Sequence, residues 1–319
     1  MRRLILRAIM IRKIFVTALV LASLKTTFSE AQIFTKRDRY TTFGLSATAA
    51  NYFGDLTPGP SIFSTDPELT RFSVGAFAVR RFYPRLSGRL AFTFGRITGD
   101  DGISASSLES EDAGRWQRNL SFRNDIKELS AVLLYDLSAN YRDYKKRANV
   151  TPYFLFGVAV FHHRPKAFYD GGRMAEGWYD LQPLQTEGRS YSKIQLSIPF
   201  GGGLKFKISQ QMDLGLEFGL RKTFTDYLDD VSTEFADKGD LNSSNGEASW
   251  ILSDRSIELA AFEQPAMVTG SDGNQYPVAW GISNAGLIRG DKTDHDWYVF
   301  SGFTLTYVLD PARKTPKFR

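Results

Sequence analysis

The stretch DWYVFSGFTLTYVL, residues 296–309, decides how this chain is read. At a period of two, Trp297, Val299, Phe303, Leu305, Tyr307 and Leu309 share one face with Ser301. Tyr298, Phe300, Gly302, Thr304 and Thr306 share the other. A strand in a water-soluble sheet usually runs about five or six residues. One that crosses a bilayer at a tilt needs about 9–11, with aromatic rings at both water–lipid boundaries. Here Trp297 and Tyr298 open the segment and Tyr307 closes it. Lipid cannot satisfy the unpaired backbone groups of an open sheet edge. The rest of the chain should therefore supply an even set of such strands and bring the first round to pair with the last.

Seven further segments repeat the pattern: residues 42–53, 71–82, 88–98, 126–137, 152–163, 195–208 and 214–224. Residues 126–137 are typical, setting Leu129, Ala131, Leu133, Tyr135 and Leu137 against Glu128, Ser130 and Asp136. The connections alternate in length. Residues 54–70, 99–125, 164–193 and 225–295 are long, while those after the second, fourth and sixth strands are shorter. The expected fold is all-β, an eight-stranded antiparallel transmembrane β-barrel with long extracellular loops and short periplasmic turns. Two soluble domains would need a linker and a shift in composition, and the sequence has neither.

Composition agrees. The 319 residues are 14% aromatic and lack cysteine, which removes disulfides, thiolate nucleophiles and thiolate metal sites. A mean hydropathy of −0.27 fits a barrel, whose polar lumen and loops dilute the average. No internal apolar run is long enough for a helical span. At the N-terminus, Arg12 and Lys13 precede an apolar run, residues 14–24, and Ser29-Glu30-Ala31 offers small residues for cleavage. Residues 1–31 therefore read as a signal peptide and 32–319 as the barrel, with a buried N-terminal helix as the alternative. Residues 1–31 hold six of the 40 Lys/Arg and one of the 35 acidic residues, so 34 of each remain in the mature chain. The basic pI belongs to the signal and gives no support for nucleic-acid binding.

The polar strand faces carry Arg89, Glu128, Asp136, Lys205, Lys207, Glu217 and Arg221. An eight-stranded barrel is only wide enough to be filled by its own side chains, so these charges must pair or stay wet. Ion pairs plugging a solid lumen are expected, against a selective ion path. Of His162, His163 and His295, none has spacing that marks a site. Rim histidines at the end of the fifth strand are the expectation, against a His–Ser hydrolase pair. Residues 226–230 (DYLDD) and 237–240 (DKGD) read as solvated turns and lack the ordered spacing of a calcium loop. Arg289-Gly290-Asp291 reads as a coincidence, and the glycines at 201–203 lie in a strand, not before a helix. No catalytic, metal or cofactor site is expected, and no small-molecule substrate.

Residues 140–150 carry Arg142, Lys145, Lys146 and Arg147 against Asp143, and residues 310–319 carry Arg313, Lys314, Lys317 and Arg319 against Asp310. With both termini periplasmic, these basic segments share a face. Solvated turns and electrostatic docking of an acidic partner are both open.

Asn51-Tyr52-Phe53-Gly54-Asp55-Leu56, Leu120-Ser121-Phe122-Arg123, residues 225–232 (TDYLDDVS), Asp296-Trp297-Tyr298-Val299-Phe300 and the tail Pro316-Lys317-Phe318 recur in one order on this strand pattern. Together they resemble the outer-membrane barrel family that includes PorG, of the type IX secretion system of Bacteroidota. The resemblance spans the mature chain. It implies a non-enzymatic role in the outer-membrane lipid, in association with a periplasmic ring of secretion proteins. The family tail often has a cysteine where this chain has Thr315, which puts thiol attachment out of reach. The alternative is a stand-alone porin-like or surface-binding barrel.

Overall fold

The computed structural model describes residues 39–57, 67–105, 113–141, 143–259, 264–293 and 295–309. The expected signal peptide lies outside them. So do Arg142, Arg313, Lys314 and Lys317.

Eight long strands form the wall: β1 (Thr41–Phe53), β2 (Arg71–Arg81), β3 (Leu86–Asp100), β4 (Ser121–Asp136), β5 (Val150–His162), β8 (Ile194–Lys207), β9 (Met212–Thr223) and β12 (Trp297–Leu309). Each pairs antiparallel with its neighbours in that order, and β12 returns to β1, from Thr41 opposite Leu309 to Phe53 opposite Trp297. The barrel is closed and eight-stranded. Closure gives every wall strand two partners, which lipid requires. Between β5 and β8 the paired register skips from Phe156–Phe200 to Ala159–Ser197. Pro199 sits in the gap and has no N–H to donate. The glycines at 201 and 203 let strands approach closely. A Cβ there would lie 2.1 Å from the Phe218 carbonyl and 2.4 Å from that of Leu216.

The polarity is inside-out relative to a soluble protein. On β4, Leu129, Leu133 and Tyr135 are exposed, while Glu128, Ser130 and Asp136 are buried. Phe43, Leu45, Phe92, Phe154, Phe156, Val158 and Phe303 extend the same apolar exterior around the barrel. In water so large an exposed apolar band would be a liability; against acyl chains it is the expected surface. Tyr83, Tyr135, Tyr141 and Tyr307 stand exposed toward the short-turn end, where an aromatic girdle belongs. Among the described residues no helix is long and apolar enough to cross a membrane.

The lumen is filled in layers. Nearest the short turns, Asp136 accepts from Arg81 at 3.1 Å and Lys205 at 2.6 Å. Midway, Arg89 forks onto Glu217 at 2.6 and 2.9 Å, and Tyr153 donates to the same carboxylate at 2.5 Å. Above, Arg221 reaches Glu128 at 3.3 Å and Tyr298 donates to it at 2.7 Å. Between the upper two layers lies a cavity of about 30 Å³, bordered by Ser46, Thr48 and Phe300. That is room for about one or two water molecules, not a channel. Lys207 is not part of a lumen ion pair, because its ammonium donates to the Lys145 carbonyl at 2.6 Å.

The long connections are more ordered than solvated loops. They contain α1 (Asp101–Ser104), α2 (Ala113–Arg118), α3 (Lys238–Asn245) and α4 (Glu247–Ser253). They also carry two hairpins, β6 (Pro165–Tyr169) with β7 (Gly177–Asp180) and β10 (Ala266–Thr269) with β11 (Gln275–Val278). β3 and β4 run 15 and 16 residues, longer than a bilayer needs, and β4 then pairs with β6 at Asn124–Pro165. This cap rests on the long-loop end of the barrel.

Candidate functional site

Four stretches far apart in the chain meet beneath that cap. The Tyr52 hydroxyl, at the end of β1, lies 2.7 Å from an Asp229 carboxylate oxygen and 2.8 Å from one of Asp296. The second oxygen of Asp296 accepts the Leu228 N–H at 2.8 Å, and that of Asp229 accepts the Val231 N–H at 2.9 Å. Asn124, at the top of β4, donates to the Leu228 carbonyl at 2.7 Å and accepts the Arg164 N–H at 2.7 Å. Apolar side chains surround this knot: Leu56, Leu120, Phe122, Leu228, Val231 and Phe300 are all buried in one cluster with Tyr52 and Tyr298. The Tyr52 ring meets Phe122 edge-on at 4.9 Å.

Two guanidiniums brace the knot. Arg118 forks onto Asp101 at 2.8 Å and donates to the carbonyls of Asp55 and Arg289. Arg289 pairs with Glu187 at 2.8 Å and donates to the Asp230 carbonyl at 2.7 Å. Glu187 also accepts the N–H groups of Ser232 and Thr233. Asp230 turns the chain with φ of 70° and accepts from the Thr186 and Tyr191 hydroxyls. Asparagine and aspartate tolerate that left-handed backbone better than other side-chain-bearing residues.

Acids outnumber the cations, and burial shifts them. The Asp229 and Asp296 carboxyls are held well above the ordinary range, first by burial and then by neighbouring carboxylates. Burial raises Asp226 to about 7, and Asp55 and Asp230 to about 6. Geometry requires the same at the centre. Tyr52 has one hydroxyl proton and two carboxylates to serve, so one carboxyl must keep its own proton and donate back. Among the described residues, no group of three or more His, Asp or Glu is placed to hold a metal ion.

Residues 12–250 match the model of a domain family of unknown function, DUF6089, well over half of the chain. The chain belongs to the DUF6089 family. That match takes in the first three stretches of the knot, while Asp296 lies beyond it. No curated protein sequence matches this one. Among solved structures, the DUF6089 chain is similar to Neisserial surface protein A, at 8% identity and a TM-score of 0.35 over 85% of this chain and 96% of that one. It is similar to the attachment invasion locus protein Ail of Yersinia pestis, at 7% and 0.33 over 85% and 97%. A major outer membrane protein of Thermus thermophilus stands at 13% and 0.37, over 84% and 99%. At these identities the likeness concerns the fold alone.

The cap of this DUF6089 barrel departs from the sequence reading in three places. Residues 226–230 are not solvated turns, since Asp226, Leu228, Asp229 and Asp230 are all buried. Residues 237–240 are not a solvated turn either, since Asp237 caps α3 and Lys238 is buried against Asp254 at 2.6 Å. His163 is no exposed rim histidine: it is fully buried and stacks on Tyr191, which stacks in turn on Tyr227. Its Nε2 donates to the Ser192 carbonyl at 3.0 Å, and burial lowers its pKa to about 4, so it stays neutral at ordinary pH.

At the short-turn end, Arg147 is buried and cannot offer a docking charge. It pairs with Asp213 at 2.7 Å and donates to the carbonyls of Tyr144, Ser209, Gln210 and Met212, clamping two turns together. Lys146 is exposed and Lys145 is half-buried, its ammonium 5.7 Å from the Tyr144 ring centre.

Proposed function

We propose that this chain is an outer-membrane barrel with a non-enzymatic, structural role in the type IX protein secretion machinery, associating at its periplasmic end with a ring of secretion proteins. The observation that carries the reading is the filled lumen beneath a sealed cap. With bridged charges in three layers and the mouth tied shut by Tyr52, Asp229 and Asp296, little is left for the barrel to work with but its two ends. The ordered recurrence of the family motifs along the chain supports the same role. Of the basic residues in the 140–150 connection, Lys145 and Lys146 are the described ones left to meet an acidic partner. Affinity purification of the tagged mature chain from outer membranes tests this. Periplasmic ring proteins should co-purify at low salt and be lost in the Lys145→Glu/Lys146→Glu variant. Their absence from the wild-type eluate refutes the role.

A second reading, a stand-alone surface-binding barrel, is favoured by Trp280 and Ile288, which are 71% and 80% exposed on the cap. Large apolar side chains so exposed suit contact with another surface. Purification of the barrel without ring proteins, but with adhesion that Trp280→Ser abolishes, would favour it.

A further inference from the structure

A groove runs down the membrane-facing side of β2. Its outward residues are Phe72, Val74, Ala76, Ala78 and Arg80, so small side chains stand between two large ones above and a guanidinium below. The register supplies the walls. Ala76 lies between Leu45 of β1 and Phe92 of β3, and Ala78 between Phe43 and Leu90. All four wall side chains are more than half exposed. The trough consists of two adjoining hollows of about 430 and 550 Å³, which share Ala78 and Leu90. From Ala76 to Arg80 the strand rises about 13 Å, close to the roughly 15 Å of hydrocarbon in one leaflet.

The lower end is polar and positive. Arg80 stands one residue before β2 ends, opposite Thr41 on one side and Gly88 on the other, where the Phe82 ring lies over the glycine and borders the same hollow. Its guanidinium is exposed and donates to the Thr41 hydroxyl at 2.7 Å, a neutral partner that leaves other donors of the fork unused. The two arginines nearby are committed elsewhere, Arg81 inward to Asp136 and Arg85 to the Leu137 carbonyl. With short turns on the periplasmic side, Arg80 sits at headgroup level of the inner leaflet. A planar guanidinium matches a phosphate geometrically and in charge.

We propose that this groove holds one inner-leaflet glycerophospholipid, with an acyl chain over Ala76 and Ala78 and its phosphodiester on Arg80. The proposal rests on the outer-membrane reading above. An arginine that only snorkelled to the interface would need no trough leading to it.

The test uses the full mature chain, folded and carried in detergent micelles with palmitoyl-oleoyl phosphatidylethanolamine at a fixed low ratio. Native mass spectrometry counts the barrels that retain one lipid. Arg80→Gln should reduce retention roughly tenfold, the factor that corresponds to the lower end for one hydrogen bond to a charged group. Ala78→Phe, which fills the trough and keeps the arginine, should reduce it comparably, and Val158→Phe on another part of the wall should not. Equal retention by Ala78→Phe and wild type overturns the groove, as does retention unaffected by Arg80→Gln. Insertion into vesicles of the same lipid, read as heat-modifiable gel mobility, separates the two levels. A wild-type chain that inserts but retains no lipid refutes the groove alone; one that never inserts refutes the membrane reading and the groove with it.

Discussion

Replacing Tyr52 with Phe removes one oxygen atom and should loosen the whole cap. The ring stays, so the edge-on contact with Phe122 at 4.9 Å and the surrounding apolar packing are retained. What goes is the hydroxyl that bridges Asp229 and Asp296 at 2.7 and 2.8 Å. Two fully buried carboxyls are then left facing each other without it. An unmet buried polar group costs about 1–3 kcal/mol. Taking about 2 kcal/mol for the pair, because the carboxyls can still share a proton directly, local opening becomes roughly thirtyfold more frequent. Hydrogen exchange of the Leu228 and Val231 amides reads this opening, since Asp296 and Asp229 accept those N–H groups. The companion variant is Asp296→Asn. Its amide oxygen can accept from Leu228 while its NH₂ donates to Tyr52, which donates on to Asp229, so every group is served without a carboxyl proton. It should protect both amides at least as well as wild type at neutral pH. Wild-type exchange in Tyr52→Phe, or faster exchange in Asp296→Asn, would refute the proton-sharing account.

Other expectations follow from the same geometry. Cap stability should fall as pH rises from about 4 to about 7. Asp230 and Asp226 bind protons more tightly in the closed cap than in the open one, so a contribution complete below pH 4 is lost up to their raised pKa values of about 6 and 7. Asp230 alone accounts for on the order of 3 kcal/mol at about 1.4 kcal/mol per unit, and limited proteolysis of the cap across this range checks the direction. Arg147→Gln should destabilise the barrel by about 3–5 kcal/mol, because it strands Asp213 and frees four carbonyls; urea unfolding in micelles measures it, and Lys146→Gln serves as the near-neutral control. Purified barrel should give no reproducible conductance in planar bilayers, since the lumen offers only a cavity of about 30 Å³. N-terminal sequencing of membrane-extracted protein should begin at Gln32, and a retained leader would refute the cleavage site.

The wall was legible because lipid imposes a rule that each strand must obey on its own. An outward face of Leu, Phe and Tyr against an inward face of Glu, Ser and Asp is visible in residues 126–137 without knowledge of any neighbour. Where lipid stops, the signal stops. Ser121–Asp125 continue β4 as regular strand, but Arg123, Asn124 and Asp125 stand above the apolar band, and the stretch reads as loop. The cap was legible only as motifs. Leu228 and Val231 among carboxylates were the available clue, since a solvated turn has no use for them. The partners that bury those acids lie as far as 244 residues away, a distance no local pattern spans. Nor does a run such as Lys145-Lys146-Arg147 disclose that its last member turns inward. Only the fork geometry of arginine against Asp213 separates it from the two lysines before it.

Lumen and cap solve one problem, carboxylates out of water, by opposite means. In the lumen Glu217, Glu128 and Asp136 each have a guanidinium or ammonium within 3.3 Å. In the cap, Arg118 is committed to Asp101 and Arg289 to Glu187. Asp229 and Asp296 are left with a tyrosine hydroxyl and backbone N–H groups, and the compensating charge must be a proton. A proton leaves when pH rises, whereas a guanidinium does not. The transmembrane wall is therefore braced by interactions indifferent to the medium, while the structure facing outward is fastened by ones the medium can undo. Asp296→Asn tests that division directly: it replaces the removable proton with a permanent amide, and should remove the share of the cap's pH dependence that comes from the Asp229–Asp296 pair, leaving the share of Asp226 and Asp230 and the unfolding of the wall unchanged.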